Sequence, residues 1–321
     1  MADNLTTTSQ VDPGNATFFD KLLLAVAQGK QVHSLFAVKK SLKANSGNTM
    51  KWRRYTALST ATTPLTEGVT PTATQLAKTD LTSTVAWYGA YVYITDEVEL
   101  TNQEAVVVEA GKRLGQQMGE TEDEIVRDVI CGTSSTMNCT NGSNGESITE
   151  QNKPDIDIAV RELMDSNAEF ITNQISASQG QGTSPIMAGY VMFAHTKQID
   201  DFWNVSGFRG VHEYPNGNGL YPGELGSCQG ARILVSSLGK YITATSPDTF
   251  NNILVGKEAY AVVSLDAATA KTILKPRGSG GTEDPLDQRA SIGWKRVMSS
   301  RILNDSFMYK MVATRGDSLD S

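Results

Sequence analysis

Residues 56–75, TALSTATTPLTEGVTPTATQ, carry threonine at eight of twenty positions and sit between two runs of strand character. Before them lies TMKWRRYTAL, where Met50, Trp52, Arg54 and Thr56 alternate with Lys51, Arg53 and Tyr55, the period-two pattern of a strand with an apolar and a basic-aromatic face. After them, TSTVAWYGAYVYITD (82–96) concentrates the β-branched and aromatic residues that favour strands. The pattern predicts one long hairpin made by these two strands. Its connection, about 58–80, exceeds the roughly 12–15 residues beyond which a structureless link in a compact domain is uncommon. A two-stranded hairpin is marginally stable alone in water, so such an arm is expected to gain its order on a neighbour.

A long helix follows. In TNQEAVVVEAGKRLGQQMGETEDEIVRDVICG (101–132), Thr101 and Glu104 have capping-box spacing and apolar residues recur at 107, 110, 114, 118, 125 and 129, which predicts one helix of about 30 residues and roughly 45 Å. Gly111, Gly115 and Gly119 fall on one stripe of it, where a second backbone could approach closely. Upstream, residues 1–16 read as a polar arm and TFFDKLLLAVAQ (17–28) as a short helix capped by Thr17. Downstream, SSTMNCTNGSNGES (134–147) marks a boundary or exposed loop. Beyond it DIDIAVRELMDSNA and TKQIDDFWNV read as helices, and IMAGYVMFAH, ARILVSS and NNILVGKEAYAVVSL as strands. The C-terminal ASIGWKRVMSSRILNDSFMYKMVATR alternates as two strands around Asn304-Asp305.

The 321 residues suffice for one large or two ordinary domains with substantial cores, and 39% hydrophobic against 20% charged residues fits globular parts with generous loops. A net charge of −7 opposes tight nucleic-acid binding, which needs clustered Lys and Arg. The first fifteen residues lack a basic and an apolar region, so no export signal is expected. The longest apolar runs, such as LLLAVA (22–27), fall far short of a bilayer span. Cys131, Cys139 and Cys228 cannot all pair and show no CxxC spacing, which suggests reduced thiols in a cytoplasmic setting.

A search for chemistry finds no catalytic, metal or cofactor constellation. His33, His195 and His212 are far apart and outside any metal-ligand spacing. Asp155, Asp157, Asp200 and Asp201 could offer oxygen ligands to a cation, but their places at helix starts favour a dipole role. GNGLYPG (217–223) lacks the phosphate-loop spacing and reads as a turn, and VGK (255–257) lacks the following Ser or Thr. Lys51, Trp52, Arg53 and Arg54 form the one dense basic-aromatic cluster, a better match to acidic groups on another protein than to nucleic acid. The run Glu120, Glu122, Asp123, Glu124 is one candidate for that acidic surface.

In the order GNTMKWRRY, ATTPLTEGVTP, WYGAYVYITD, ETEDEIVRDVI and GWKRVMSSRILND, the chain from about 18 to 315 resembles the major capsid proteins of tailed bacteriophages with the Hong Kong 97 (HK-97) fold, in the branch typified by the coat protein of phage N-four. The resemblance implies an α+β fold: an N-terminal arm and short helix (1–36), an extended β-hairpin loop (37–95), a peripheral domain with a long spine helix (96–150 and 266–321) and an axial mixed α/β domain (151–265). It implies a non-enzymatic coat protein that self-assembles through pentamers and hexamers into an icosahedral head around double-stranded DNA. Portal and scaffolding or cement proteins are the other expected partners, DNA contact is weak and non-specific, and no membrane or cofactor is involved. The setting would be the virion, assembled in the host bacterial cytoplasm. Inter-subunit contacts are expected from Arg53, Arg54, Thr62, Thr63, Pro64, Leu65, Glu67, Val69, Pro71, Glu122 and Asp123, with ATTPLTEGVTP lying over an adjacent subunit and the loops around 206–230 facing the capsomer axis. The competing readings are a metal- or nucleotide-dependent α/β enzyme with a site near Asp155, Asp200 or Gly219, and a virion cement or fibre protein.

Overall fold

The computed structural model describes residues 31–101, 106–177, 185–215, 220–243, 247–265, 270–279 and 284–316. The expected N-terminal arm, the helix at 17–28, the cap residue Glu104 and Gly219 lie outside the described residues. In chain order the elements are β1 (Val38–Leu42), β2 (Thr49–Tyr55), β3 (Lys78–Thr84), β4 (Ala86–Thr95), α1 (Asp96–Thr101), α2 (Val106–Ile130), β5 (Thr136–Asn138), α3 (Lys153–Asp165), β6 (Tyr190–His195), α4 (Ile199–Asn204), β7 (Arg209–Gly210), β8 (Glu224–Cys228), β9 (Ala231–Ser236), β10 (Tyr241–Ile242), β11 (Thr249–Val255), β12 (Tyr260–Leu265), β13 (Lys271–Lys275), β14 (Arg289–Ile302) and β15 (Met308–Thr314).

These strands build two large sheets and one ribbon. The first sheet runs β1-β12-β14-β13, with β4 also on β14; the second runs β5-β15-β11-β6-β9-β8-β7, with β10 on β11; β2 and β3 pair only with each other. In the second sheet β6 (YVMFAH) is buried at every position, as a strand covered on both faces must be. Its Tyr190, Met192 and Ala194 pack with Ile156, Ala159 and Leu163 of α3. The alternate Val191 and Phe193 turn to the opposite face and meet Val126 and Ile130 of α2.

Helix α2 joins the two sheets. Its 25 residues span about 37 Å, and its buried stripe runs from Gly111 through Leu114, Gly115, Met118 and Gly119 to Val126 and Ile130. Leu114 and Met118 pack with Ile94, Ile292 and Trp294 of the first sheet. About two to four turns later, Val126 and Ile130 share a cluster with Tyr260, Val262 and Met298 of the first sheet and with Ile253 and Met308 of the second. The glycine stripe is therefore part of the buried face against the sheet. Hydrogen bonds add a tie, with Trp294 Nε1 donating to Gln117 Oε1 at 3.2 Å.

Several sequence expectations are corrected here. The hairpin partner of β2 is β3, in the register Thr49↔Thr84 to Tyr55↔Lys78, and the strongly strand-forming 86–95 pairs instead with β14. The physical reason is burial: β4 places Ile94 in the core with Trp294, whereas the ribbon offers no core. The segment expected as an extended loop over 37–95 begins and ends inside the first sheet, because β1 lies parallel to β12. β12 joins the first sheet, whereas β5 and β15 join the second. β14 and β15 flank the Asn304 turn yet belong to different sheets, so this end of the chain crosses between the layers.

Candidate functional site

The ribbon is the most exposed part of the described chain: every residue from 53 to 80 is exposed. Its stalk owes its order to a few polar contacts. Arg53 Nε donates to Asp80 Oδ1 at 3.0 Å across the two strands; the pair is exposed, and its hydrogen bond holds the Asp80 carboxyl below the ordinary range. At the root, Ser83 and Ser299 hydroxyls meet at 2.7 Å, and further along the stalk Arg54 Nη1 donates to Asn304 Oδ1 at 2.5 Å. The Val85 amide donates to Asn48 O and passes the chain directly from β3 into β4. Ser299 and Asn304 lie at and beyond the C-terminal end of β14, so the ribbon continues off that end of the first sheet.

The tip has little internal structure beyond a turn, where the Val69 amide donates to Thr66 O and Gly68 takes φ +79°, a value that suits glycine. Thr62, Thr63, Pro64, Leu65, Glu67, Val69 and Pro71 are all brought together on this exposed tip. Leu65 is 78% exposed, and Leu58, Val69 and Leu76 are open as well. Arg53 and Arg54 stand lower on the stalk, already engaged within the chain.

Glu122 and Asp123 are withdrawn from any contact surface, because they are 4% and 0% exposed. Asp123 accepts the amides of Val32 and His33 at 2.8 and 2.7 Å, and its second oxygen meets His33 Nδ1 at 2.6 Å. Tyr260 O–H donates to the His33 carbonyl. Glu122 receives Gln31 Nε2 and pairs with Arg296; burial pushes its carboxyl above the ordinary range, with Arg296 and Lys39 pulling the other way. The acidic residues of α2 thus anchor the segment entering the fold at 31–36.

A second exposed surface was missed by the sequence reading. On β4, Tyr88, Ala90 and Ile94 face α2, and the alternate Trp87, Tyr91 and Tyr93 are 59%, 64% and 56% exposed. Opposite them on β14 stand Lys295 facing Gly89, Gly293 facing Tyr91 and Ser291 facing Tyr93; β13 adds Lys271, Ile273 and Lys275 in register with Lys295, Gly293 and Ser291. With no side chain at Gly293, a trough opens between Ile273 and Tyr91, part of a cleft of about 410 Å³. A Cβ at Gly293 would lie 2.7 Å from Tyr91 Cβ, so the position is closed to larger residues. Lys295 Nζ sits 4.1 Å above the Trp87 ring, and Arg289 sits 6.0 Å from Tyr93. The signal was the odd-position aromatics of WYGAYVY, one face of a strand.

Residues considered for chemistry serve the fold. Asp155 accepts the Asn152 amide at 3.1 Å and the Gly142 amide at 2.7 Å, and Asp201 accepts the Gly316 amide at 3.2 Å. Burial raises the Cys131 and Cys228 thiols to about 11, and the three cysteines are free. His195 accepts the Lys197 amide, and His212 lies beside the Trp203 ring. Among the described residues no group of three or more His, Cys, Asp or Glu is arranged to hold a metal ion, and no helix is long and apolar enough to cross a membrane. A buried pair joins Arg232 to Glu224 at 2.7 and 2.9 Å, and Glu224 also accepts the Tyr214 hydroxyl and the Tyr221 amide.

No protein-family model matches the sequence, and no curated protein matches it. Solved structures do match in fold. The capsid of Ralstonia phage GP4 superposes with a TM-score of 0.62 at 9% identity, covering 91% of this chain and 91% of that one. The cyanophage Pam1 capsid gives 0.61 at 13% identity over 92% and 93%, and the cyanophage P-SCSP1u capsid 0.59 at 14% over 88% and 87%. The fold is the α+β, HK-97-like fold of tailed-phage capsids.

Proposed function

We propose that this chain is the major capsid protein of a tailed bacteriophage, the subunit whose copies form the head shell. The observation that carries the reading is the match of nearly the whole chain, in one arrangement, to capsid structures of two cyanophages and a Ralstonia phage. The exposed ribbon supports it, because 28 consecutive residues, 53–80, are exposed and fit a part that is covered on assembly. Head-to-tail use of one surface against another generates closed rings and shells, and pentamers and hexamers are the corresponding units. In this reading the protein is structural and acts without catalysis, in the virion, after assembly in a bacterial cytoplasm.

A net charge of −7 suits a wall that encloses DNA without gripping it. Portal, scaffolding and cement proteins complete the proposed set of partners. Expression of the full chain followed by negative-stain electron microscopy tests the reading: shells, or the rings and capsomers leading to them, are expected. A protein that stays monomeric across salt, pH and concentration, and is absent as a major band from virions, overturns it.

A further inference from the structure

We infer that the C-terminal end of β15 carries a divalent-cation site, in which the carboxylates of Glu150 and Asp201, with the Gln198 amide beside them, hold a hydrated magnesium or calcium ion. Such a site belongs to the single subunit, whatever assembly that subunit builds. Three observations carry it.

The first is convergence. Segments far apart in sequence meet where the chain leaves the second sheet: Glu150 forms a bridge with Thr314, the Thr314 amide donates to Thr149 O, and the Gly316 amide donates to Asp201 Oδ1 of α4 at 3.2 Å. The position a Cβ would take on Gly316 lies 2.6 Å from Glu150 Oε2 and 3.1 Å from Asp201 Oδ1. The two oxygens are therefore no farther apart than those distances together. Because residue 316 has no side chain, both carboxylates can turn toward the same space.

The second is unmet hydrogen bonding. Asp201 is 8% exposed, and its Oδ2 has no hydrogen-bond partner among the described residues. Gln198 is 0% exposed, and neither its side-chain oxygen nor its nitrogen has a partner there. Gln198 closes the helical turn 196–198 that runs directly into α4, three residues before Asp201, a spacing that puts two side chains on one face. Buried polar groups left without partners are costly, and they mark places where an ion or an ordered water belongs.

The third is charge. The charged groups that act on Asp201 are Glu150, Asp200 and Arg315. With all four ionised, three carboxylates stand against one guanidinium, a surplus of two negative charges that one divalent ion balances and a water does not. Magnesium is commonly held by one or two carboxylates and keeps several of its waters. Glu150 is exposed, so the site opens to solvent on that side and can admit a hydrated ion. An ion there would clamp the 149–150 segment and α4 to the end of β15.

The test titrates the full chain, stripped of metal with EDTA and exchanged into chelator-free buffer, with magnesium chloride and separately with calcium chloride, by calorimetry. One ion per subunit is expected, with a rise in melting temperature of about 3 °C or more near saturation that sodium chloride at equal ionic strength does not reproduce. Glu150→Gln, a change at an exposed residue, should weaken binding about tenfold or more, and Asp201→Asn should abolish it. Gly316→Ala, whose methyl would fall between the two carboxylates, should weaken binding with every ligand still in place. The ion with the tighter isotherm identifies the occupant. If Asp201→Asn does not fold, the other two variants decide. Absence of binding by both ions overturns the inference, and so does binding that Glu150→Gln and Gly316→Ala leave unchanged.

Discussion

At the scale of single residues, Asp123 ties the segment at 31–36 to α2 from inside the core. It is fully buried and accepts two backbone amides and the His33 ring, so Asp123→Ala leaves those donors unsatisfied in the core. A loss of about 2–4 kcal/mol is expected, read from the denaturation midpoint of the unassembled subunit. Its neighbour Glu122 gives a pH signature. Burial raises the folded-state carboxyl above its unfolded value, so between the two values the folded form holds a proton that the unfolded form releases. Stability from this residue is therefore present on the acid side and declines as pH rises through that window. Glu122→Gln should flatten the fall of the melting temperature as pH rises above the ordinary carboxylate range; an unchanged slope would remove Glu122 as its source.

At the scale of elements, the ribbon and α2 behave oppositely. α2 is buried along one stripe against two sheets and cannot be shortened without opening the core, whereas the ribbon tip makes no buried contact within the described chain. Deleting residues 60–74 is expected to leave the melting temperature of the subunit within about 2 °C, since exposed segments away from caps and cores contribute little, while abolishing stable shells. Sedimentation and electron microscopy of the deletion separate those two effects, and normal particles would show the tip to be dispensable. The stalk is the reason the deletion can be clean: Arg54 to Asn304 and Ser83 to Ser299 fix the root without help from the tip.

At the scale of the whole molecule, one long helix welds two sheets into a platform, and the ribbon leaves it near the C-terminal end of β14. In the proposed shell, a projecting part that meets a different surface of a neighbour would make head-to-tail contacts, which propagate into closed assemblies. In the second sheet the buried Arg232–Glu224 pair ties β8 to β9, with the guanidinium also 4.8 Å from the Tyr221 ring.

The amino-acid sequence by itself determined the local elements. Alternation marked β2, periodicity marked α2 and α3, and the unbroken apolar run marked β6, because these patterns are imposed by backbone geometry that neighbours in sequence feel directly. It also exposed the tip, since a long segment rich in threonine and proline has no apolar face to bury. Tertiary structure alone decided the pairing. The strongest strand former, 86–95, left the hairpin for β14 because only there could Ile94 reach the core, and strand partners are chosen by burial at long range. The same reason turned Glu122 and Asp123 inward. A run of carboxylates reads as a solvated surface until the folded chain brings Arg296, Gln31 and the amides of Val32 and His33 against it, and those partners lie about 90 residues or more away in sequence.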